Sequence, residues 1–303
     1  MFHVKLGSLE LRNPILVASG TFGYGQELSH FVDLSRLGGI VCKTVTRHPR
    51  AGNPPPRTCE TSSGMLNAIG LQNVGIDVFL SQKLPFLRDF DVPLIVNIAG
   101  ESVEDFAFLA RALSQVKGVS AIELNISCPN VAHGLDFATD PALTEEVVSH
   151  VRAATHLPVL TKLAPNVTDI RKIALAAERG GSDALSLVNT FVGMAIDTKT
   201  RRPRLSNVSG GLSGPAIKPL ALRAVFLCAQ TVKIPIVGIG GIASANDAVE
   251  FFLAGAKAIQ VGTANFVQPS AALDILEGLL QYMNENRISH IDELIGAIEL
   301  DHS

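Results

Sequence analysis

The sequence predicts an α/β chain folded as a closed (β/α)8 barrel, a TIM barrel, with an N-terminal hairpin and long loops at its C-terminal face. Three observations predict it. Eight short runs of apolar and β-branched residues recur along the chain, and stretches with helical periodicity lie between them. Alternating strand and helix implies parallel strands. Eight such units close a barrel rather than extend an open sheet, and 303 residues suit one barrel. No internal repeat, low-complexity tract or linker interrupts the chain, so a single domain over 1–303 is expected.

The opening stretch HVKLGSLELRNP reads as a short hairpin placed to cap the barrel floor. Strands are expected at 14–18, 39–44, 93–98, 121–127, 158–163, 184–189, 234–239 and 258–262. Several begin near a proline, as in VPLIVNIAG, LPVLTKLAP and IPIVGIGG. Proline is tolerated at a first strand position, where its missing N–H costs no ladder bond. VEDFAFLARALSQV, TEEVVSHVRAAT and PLALRAVFLCAQTV carry helix patterns between strands. Two connections, 45–92 and 190–216, are too long for simple βα loops. Long loops in a compact domain are usually functional, and both leave strand C-termini, the face where barrel enzymes work.

Composition narrows the function. Hydrophobic residues make up 47% and charged residues 17%, with a net charge of −3 and no basic cluster, so nucleic acid is not the expected partner. No apolar run reaches membrane-spanning length, and the N-terminus lacks the pattern of a signal peptide. Cys42, Cys59, Cys128 and Cys228 are not spaced for zinc or an iron–sulfur cluster, and the eight histidines form no ligand pattern. A reduced, cytoplasmic protein without a metal of its own is expected. Cys42 and Cys228 read as core residues, and Cys59 as a loop residue without a role.

The strand ends are polar where buried strands should be apolar. Lys43 and Thr44 end the second strand, Asn97 lies on the third, and Asn125 and Ser127 lie on the fourth. Lys162 lies on the fifth, and Asn189 and Thr190 end the sixth. Buried polar groups are costly unless paired, and a polar ligand at the barrel mouth would pair them. Two lysines there point to a ligand that is anionic or develops negative charge. For Lys162 the structural alternative is an ion pair with Glu123 inside the barrel.

After the seventh and eighth strands come GIGGIASANDA and VGTANF. Loops in those two places often form a phosphate site. Gly240, Gly241, Gly262 and Thr263 would present backbone N–H groups, and a helix start at Ser244 or Asn246 with Asp247 would add partial positive charge. The loop GGLSGPAI, 210–217, would add further amides. Flavin mononucleotide, a sugar phosphate and pyridoxal phosphate all satisfy this pattern.

The motifs ELNISCPN, SGMLNAIGLQN, KTVTRHPRAGNPPPR, VNT and GGLSGPAIKP together resemble the dihydroorotate dehydrogenase family. Within it they look most like the catalytic subunits of the NAD-dependent class 1B enzymes, and the resemblance runs from NPILVASGTFG to VGTANF. It implies an FMN barrel that oxidises dihydroorotate to orotate in pyrimidine synthesis. By the family's motifs, FMN is expected to contact Ser19, Lys43, Thr44, Asn97, Asn125, Lys162, Val188, Gly214, Gly240, Gly241, Gly262 and Thr263. Orotate is expected to contact Lys43, Asn67, Ala68, Ile69, Gly70, Leu71, Asn125, Asn130, Asn189 and Thr190. Cys128 is expected to be the catalytic base. The cysteine before Lys43 and the stretch HGLDF after the catalytic motif depart mildly from the family pattern.

These residue types suit the chemistry the resemblance implies. A thiolate accepts a proton, and Pro129 restricts Cys128 to extended geometry. Carboxamides both donate and accept, as a ring with amide N–H and C=O groups requires. Lys162 beside a flavin would stabilise negative charge on it. The chain has neither an iron–sulfur cysteine cluster nor a G-x-G-x-x-G fingerprint. The resemblance therefore implies a second subunit carrying FAD and a [2Fe-2S] cluster, with two catalytic chains paired in a heterotetramer. Class 1A, a homodimer using fumarate, is the nearest alternative. A phosphate-binding aldolase with Lys162 as Schiff-base amine and a non-catalytic phosphate binder are the others.

Overall fold

The computed structural model describes residues 2–127 and 137–300. Along the chain, β1 (Val4–Leu6) and β2 (Leu9–Leu11) form the expected hairpin. Leu6 and Leu11 are fully buried. Gly7 approaches Asp183, just before a barrel strand, and Leu11 approaches Gly39, at the start of another. The hairpin therefore lies across the barrel floor.

β3 (Ile15–Val17) and β4 (Gly39–Val45) are the first barrel strands. The long connection after β4 folds into a second hairpin, β5 (Thr58–Thr61) and β6 (Gly64–Asn67). The barrel resumes with β7 (Leu94–Ile98), β8 (Ala121–Asn125), β9 (Val159–Leu163) and β10 (Ala184–Leu187). The second long connection holds β11 (Phe191–Met194), a ribbon of β12 (Ile196–Asp197) with β13 (Arg202–Pro203), and β14 (Ser209–Ser213). β15 (Ile236–Ile239) and β16 (Ala258–Val261) complete the eight parallel strands, and β16 pairs with β3 to close the barrel.

All eight expected strands are present. The fourth and sixth end sooner than expected, at Asn125 and Leu187. Val188 N–H still reaches Ile239 O and Asn189 N–H still reaches Leu163 O, both at 2.9 Å, as the chain leaves the sheet. The connecting helices are fixed at their N-termini by side-chain caps. Ser102, Asp140, Asp169 and Ser244 each accept from a backbone N–H of the following helix, and such a cap stabilises by about 1 kcal/mol. Ser244, with Asp247 in the first turn, is the helix start after β15.

The two long connections are not plain loops. Their strands join as one antiparallel sheet in the order β11-β14-β6-β5 above the C-terminal face. β14 reads Ser-Gly-Gly-Leu-Ser, a composition depleted in strands, so its pairing comes from tertiary contact rather than local preference. Cys59, expected in a loop, lies in β5.

Candidate active site

Inside the barrel the polar residues lie at two depths. Deeper down, Glu123 is fully buried. Its carboxylate accepts from Asn97 Nδ2 at 2.7 Å, Ser186 Oγ at 2.7 Å and Gln260 Nε2 at 2.6 Å. Asn97 Oδ1 in turn accepts from Thr44 Oγ1 at 2.6 Å. Two residues nearer the mouth along β8, Asn125 stands in register with Lys162 on β9, and Lys162 pairs in turn with Ser186 on β10.

The expected alternative for Lys162, a pair with Glu123, is not formed. Both Glu123 oxygens are taken by other donors, and no ion pair or hydrogen bond reaches the Lys162 ammonium among the described residues, although Lys162 is only 7% exposed. A largely enclosed ammonium without a counter-charge carries a desolvation cost. An electron-rich ring or an anion in the mouth would remove that cost, so the site fits an FMN isoalloxazine edge.

Lys43 sits where the β4–β7 register shifts between Cys42 and Val45, and its N–H bonds Gly23 O at 2.8 Å. Burial, then the charge of Arg57, holds the Lys43 ammonium below the ordinary lysine value, while Glu27 opposes them. A negative ligand would relieve that strain as well. Asn97 lies deeper than a mouth residue and is already engaged at both ends; one of its two N–H groups is left for a ligand above.

The phosphate elements converge. Ser19 is buried beside Ala18, whose Cβ lies 3.7 Å from the Cβ position of Gly262. Thr263 Oγ1 donates to Ser213 Oγ at 2.8 Å, and its methyl lies 3.6 Å from the Cβ position of Gly214. Gly214 leads through a 3-10 turn, Pro215–Ile217, into the helix Lys218–Ala229. The loop after β15 packs on that helix start: a Cβ on Gly241 would lie 2.7 Å from the Lys218 backbone nitrogen, and its φ of 75° also demands glycine. Gly240, Gly241, Gly214, Gly262 and Thr263 thus border one cradle. Lys218 itself is spoken for, bridging Asp247 at 2.7 Å and Glu250 at 2.8 Å.

The expected substrate residues form a second cluster. Asn67 Nδ2 donates to Gly211 O at 3.3 Å, and Gly211 lies against Thr190. Asn189 Nδ2 donates to Asn125 Oδ1 at 3.2 Å, and Asn189 Oδ1 accepts from Thr190 N–H at 2.9 Å. Val188, buried, precedes them. The segment Ala68, Ile69, Gly70 and Leu71 is held by two asparagines that sequence reasoning missed. Asn53 binds Ala68 O through its side chain at 2.9 Å and Ile69 O through its N–H at 3.0 Å. Asn73 donates to Leu71 O at 2.8 Å and accepts from Thr46 N–H at 3.2 Å and Gly75 N–H at 2.8 Å. An asparagine before proline or glycine-rich sequence is the local signal that could have found them.

Cys128, Asn130 and His133 lie outside the described residues. Their described neighbour Ser127 has a buried hydroxyl without a hydrogen-bond partner among the described residues.

A closed parallel barrel with a cationic polar mouth and a glycine cradle after its last two strands has the layout in which barrel enzymes often seat a phosphate group. A family model described as dihydroorotate dehydrogenase matches residues 1–283. The chain belongs to the dihydroorotate dehydrogenase family. It is 57% identical over 297 residues to "Dihydroorotate dehydrogenase B (NAD(+)), catalytic subunit" of Trichlorobacter lovleyi, covering 98% of each chain. The protein of the same description from Geotalea daltonii is 55% identical, also covering 98% of each. That of Thermoanaerobacter sp. is 52% identical over 300 residues and 99% of each. Among solved structures, the dihydroorotate dehydrogenase of Eimeria tenella in complex with ferulenol superposes with a TM-score of 0.83 at 22% identity, covering 98% of this chain and 88% of that one. That likeness establishes the fold.

Proposed function

We propose that this chain is the catalytic subunit of an NAD-linked dihydroorotate dehydrogenase. It oxidises (S)-dihydroorotate to orotate in the de novo synthesis of UMP. The observation that carries this reading is the largely enclosed Lys162 beside Asn125, its ammonium without a partner among the described residues, at the mouth of a barrel with a glycine cradle. The relatives named above support it, and their NAD(+) designation favours class 1B over the fumarate-dependent class 1A.

Ser19, Gly214, Gly240, Gly241, Gly262 and Thr263 hold the FMN phosphate end. Lys43, Thr44, Asn97, Asn125, Lys162 and Val188 hold its ring. Bound FMN supplies the acceptor for the hydride that leaves one ring carbon of the substrate. The Cys128 thiolate takes the proton from the neighbouring carbon, which is acidified by its carbonyl. Asn67, Asn125, Asn130, Asn189 and Thr190 grip the pyrimidine amides, with Lys43 on the carboxylate and the 68–71 backbone at the rim. Such a polar site rejects rings that would leave its donors unpaired.

A partner subunit carrying FAD and [2Fe-2S] would supply the route for electrons from this chain to NAD+. Two copies of this chain pair within a heterotetramer; Val192, Met194 and Ile196, 70%, 50% and 54% exposed at alternate positions, form an apolar row suited to that contact. No helix among the described residues is long and apolar enough to cross a membrane, and we read the enzyme as cytoplasmic.

The test is a visible spectrum of the purified protein under anaerobic conditions. A flavin band that bleaches on adding dihydroorotate is expected. A colourless protein, or a band indifferent to dihydroorotate, overturns the reading. Borohydride trapping of a substrate on Lys162 would support an aldolase instead.

A further inference from the structure

Glu123 and Lys162 are the two formally charged residues among the fully or nearly fully buried side chains described. They occupy neighbouring strands, β8 and β9, and they are not paired with each other. Glu123 stands opposite Leu160, two positions before the Asn125–Lys162 partnership. Each contact to its carboxylate comes from a donor: two carboxamide N–H groups and a hydroxyl. That is the pattern an ionised carboxylate requires. The barrel interior therefore holds a fixed negative charge beneath a fixed positive one, in a medium where charges act over longer range than in water. Packing alone does not ask for this arrangement. A buried charge is costly to install and an apolar residue would fill the space at less cost.

We infer that Glu123 is a positioning residue for the flavin: it orients the Asn97 carboxamide and opposes the Lys162 charge, so that it lowers the preference of the site for reduced over oxidised FMN. This rests on the flavin reading above. Lys162 favours electron density arriving on a ring beside it. Glu123, one layer deeper, works against that gain and keeps the bound cofactor able to give its electrons up. An enzyme that must pass two electrons onward at every turnover needs both effects. With Lys162 alone, reduced FMN would be held too firmly.

The network predicts which substitution is tolerated. Gln260 Oε1 is buried without a partner, so its carboxamide can turn over and present that oxygen to a new donor at position 123. Glu123→Gln is therefore expected to fold. The double variant Glu123→Gln/Gln260→Glu moves the carboxylate to the other side of the same hydrogen bond and serves as the rescue.

The experiment measures the FMN midpoint potential by spectroelectrochemical titration of the wild-type protein and both variants, with flavin content and melting temperature recorded for each. Glu123→Gln should raise the affinity ratio for reduced over oxidised FMN at least tenfold. For a two-electron couple that is a rise of about 30 mV. The double variant should return most of the way. A folded, yellow Glu123→Gln protein with an unchanged or lower potential overturns the inference. So does a double variant that stays as shifted as the single one, since the effect would then be steric. If Glu123→Gln does not fold, an unshifted potential in the double variant supports the inference and a shifted one overturns it. A wild-type protein that binds no flavin at all overturns the functional reading itself, a distinct result.

Discussion

Gly211 on β14 approaches Thr190 so closely that a Cβ at position 211 would lie 2.1 Å from Thr190 Oγ1. The lid sheet and the end of the sixth barrel strand thus meet at a point where a hydrogen atom fits and a methyl does not. On the other side of Gly211, its carbonyl accepts from Asn67. One glycine therefore sets the spacing between two residues proposed to grip the substrate. Gly211→Ala should push Thr190 aside. Overpacking of this kind costs roughly 1–3 kcal/mol, which here should appear as a higher KM for dihydroorotate with flavin content unchanged. A variant with wild-type KM would show that Thr190 does not touch the substrate.

Asn73 is the hub under the 68–71 segment. It is buried, donates to Leu71 O and accepts from two backbone N–H groups. Asn73→Ala leaves those groups without partners, at a cost of about 1–3 kcal/mol for each buried group left unsatisfied. The variant should melt several degrees lower and bind orotate more weakly, both measurable by thermal shift with and without orotate. Equal melting temperatures for variant and wild type would remove Asn73 from the argument.

The barrel was legible because its strands are short, mostly apolar runs separated by capped helices, and a strand such as Leu-Ile-Val-Asn-Ile at Leu94–Ile98 leaves little else to choose. The lid sheet was not legible. β14 is two-fifths glycine, and β5 finds its partner only through a hairpin turned at Ser62 and Ser63. The glycine cradle was readable from its position after the last two strands. The depth of Asn97 was not: alternation gives the face of a strand but not how far along the barrel axis a side chain lies. For the same reason the sequence left open whether Glu123 answers Lys162, and only the three donors around Glu123 decide against it.

Lys162 separates function from stability by sign. Its side chain is only 7% exposed and its ammonium has no ion-pair or hydrogen-bond partner among the described residues, so replacing it by an apolar side chain spares the apoprotein part of a desolvation cost. Lys162→Met should raise the melting temperature of the apoprotein while weakening FMN binding. A merely structural lysine would give two changes of the same sign. Apoprotein melting and an FMN titration read the two quantities independently, and a more stable variant that still binds FMN normally would end the proposed role.

Burial pushes the Cys42 thiol up to about 12, helped by the Glu123 charge, and burial pushes Cys228 to about 12 as well. Both thiols should stay protonated and unreactive in the native protein at pH 8, so that iodoacetamide labels neither until the protein is denatured. The linkage has a definite sign. Each folded-state value lies above that of an exposed thiol, so the unfolded chain holds fewer protons between about pH 9 and 12, and the stability these thiols contribute is lost as pH rises through that window. Denaturation midpoints should fall from pH 9 toward 12, and less steeply in Cys42→Ala.

Cys128 carries the proton-transfer step in the proposed chemistry, and its titration gives the sharpest kinetic prediction. The thiolate is the base, and an ordinary thiol titrates near pH ~8.5. Flavin reduction by dihydroorotate in single-turnover experiments should therefore accelerate as pH rises from 6 to 9. Cys128→Ser replaces the thiol by a hydroxyl that stays protonated across that range. It should slow reduction by about 10²–10⁴-fold, the usual contribution of a positioned base, and flatten the dependence below pH 9, with FMN binding intact. Neighbouring Ser127, whose buried hydroxyl has no partner among the described residues, provides the control. Ser127→Ala should leave the pH profile in place, because a hydroxyl cannot replace the thiolate as base. A flat wild-type profile, with reduction shown to limit the rate, would transfer the role of base to another group.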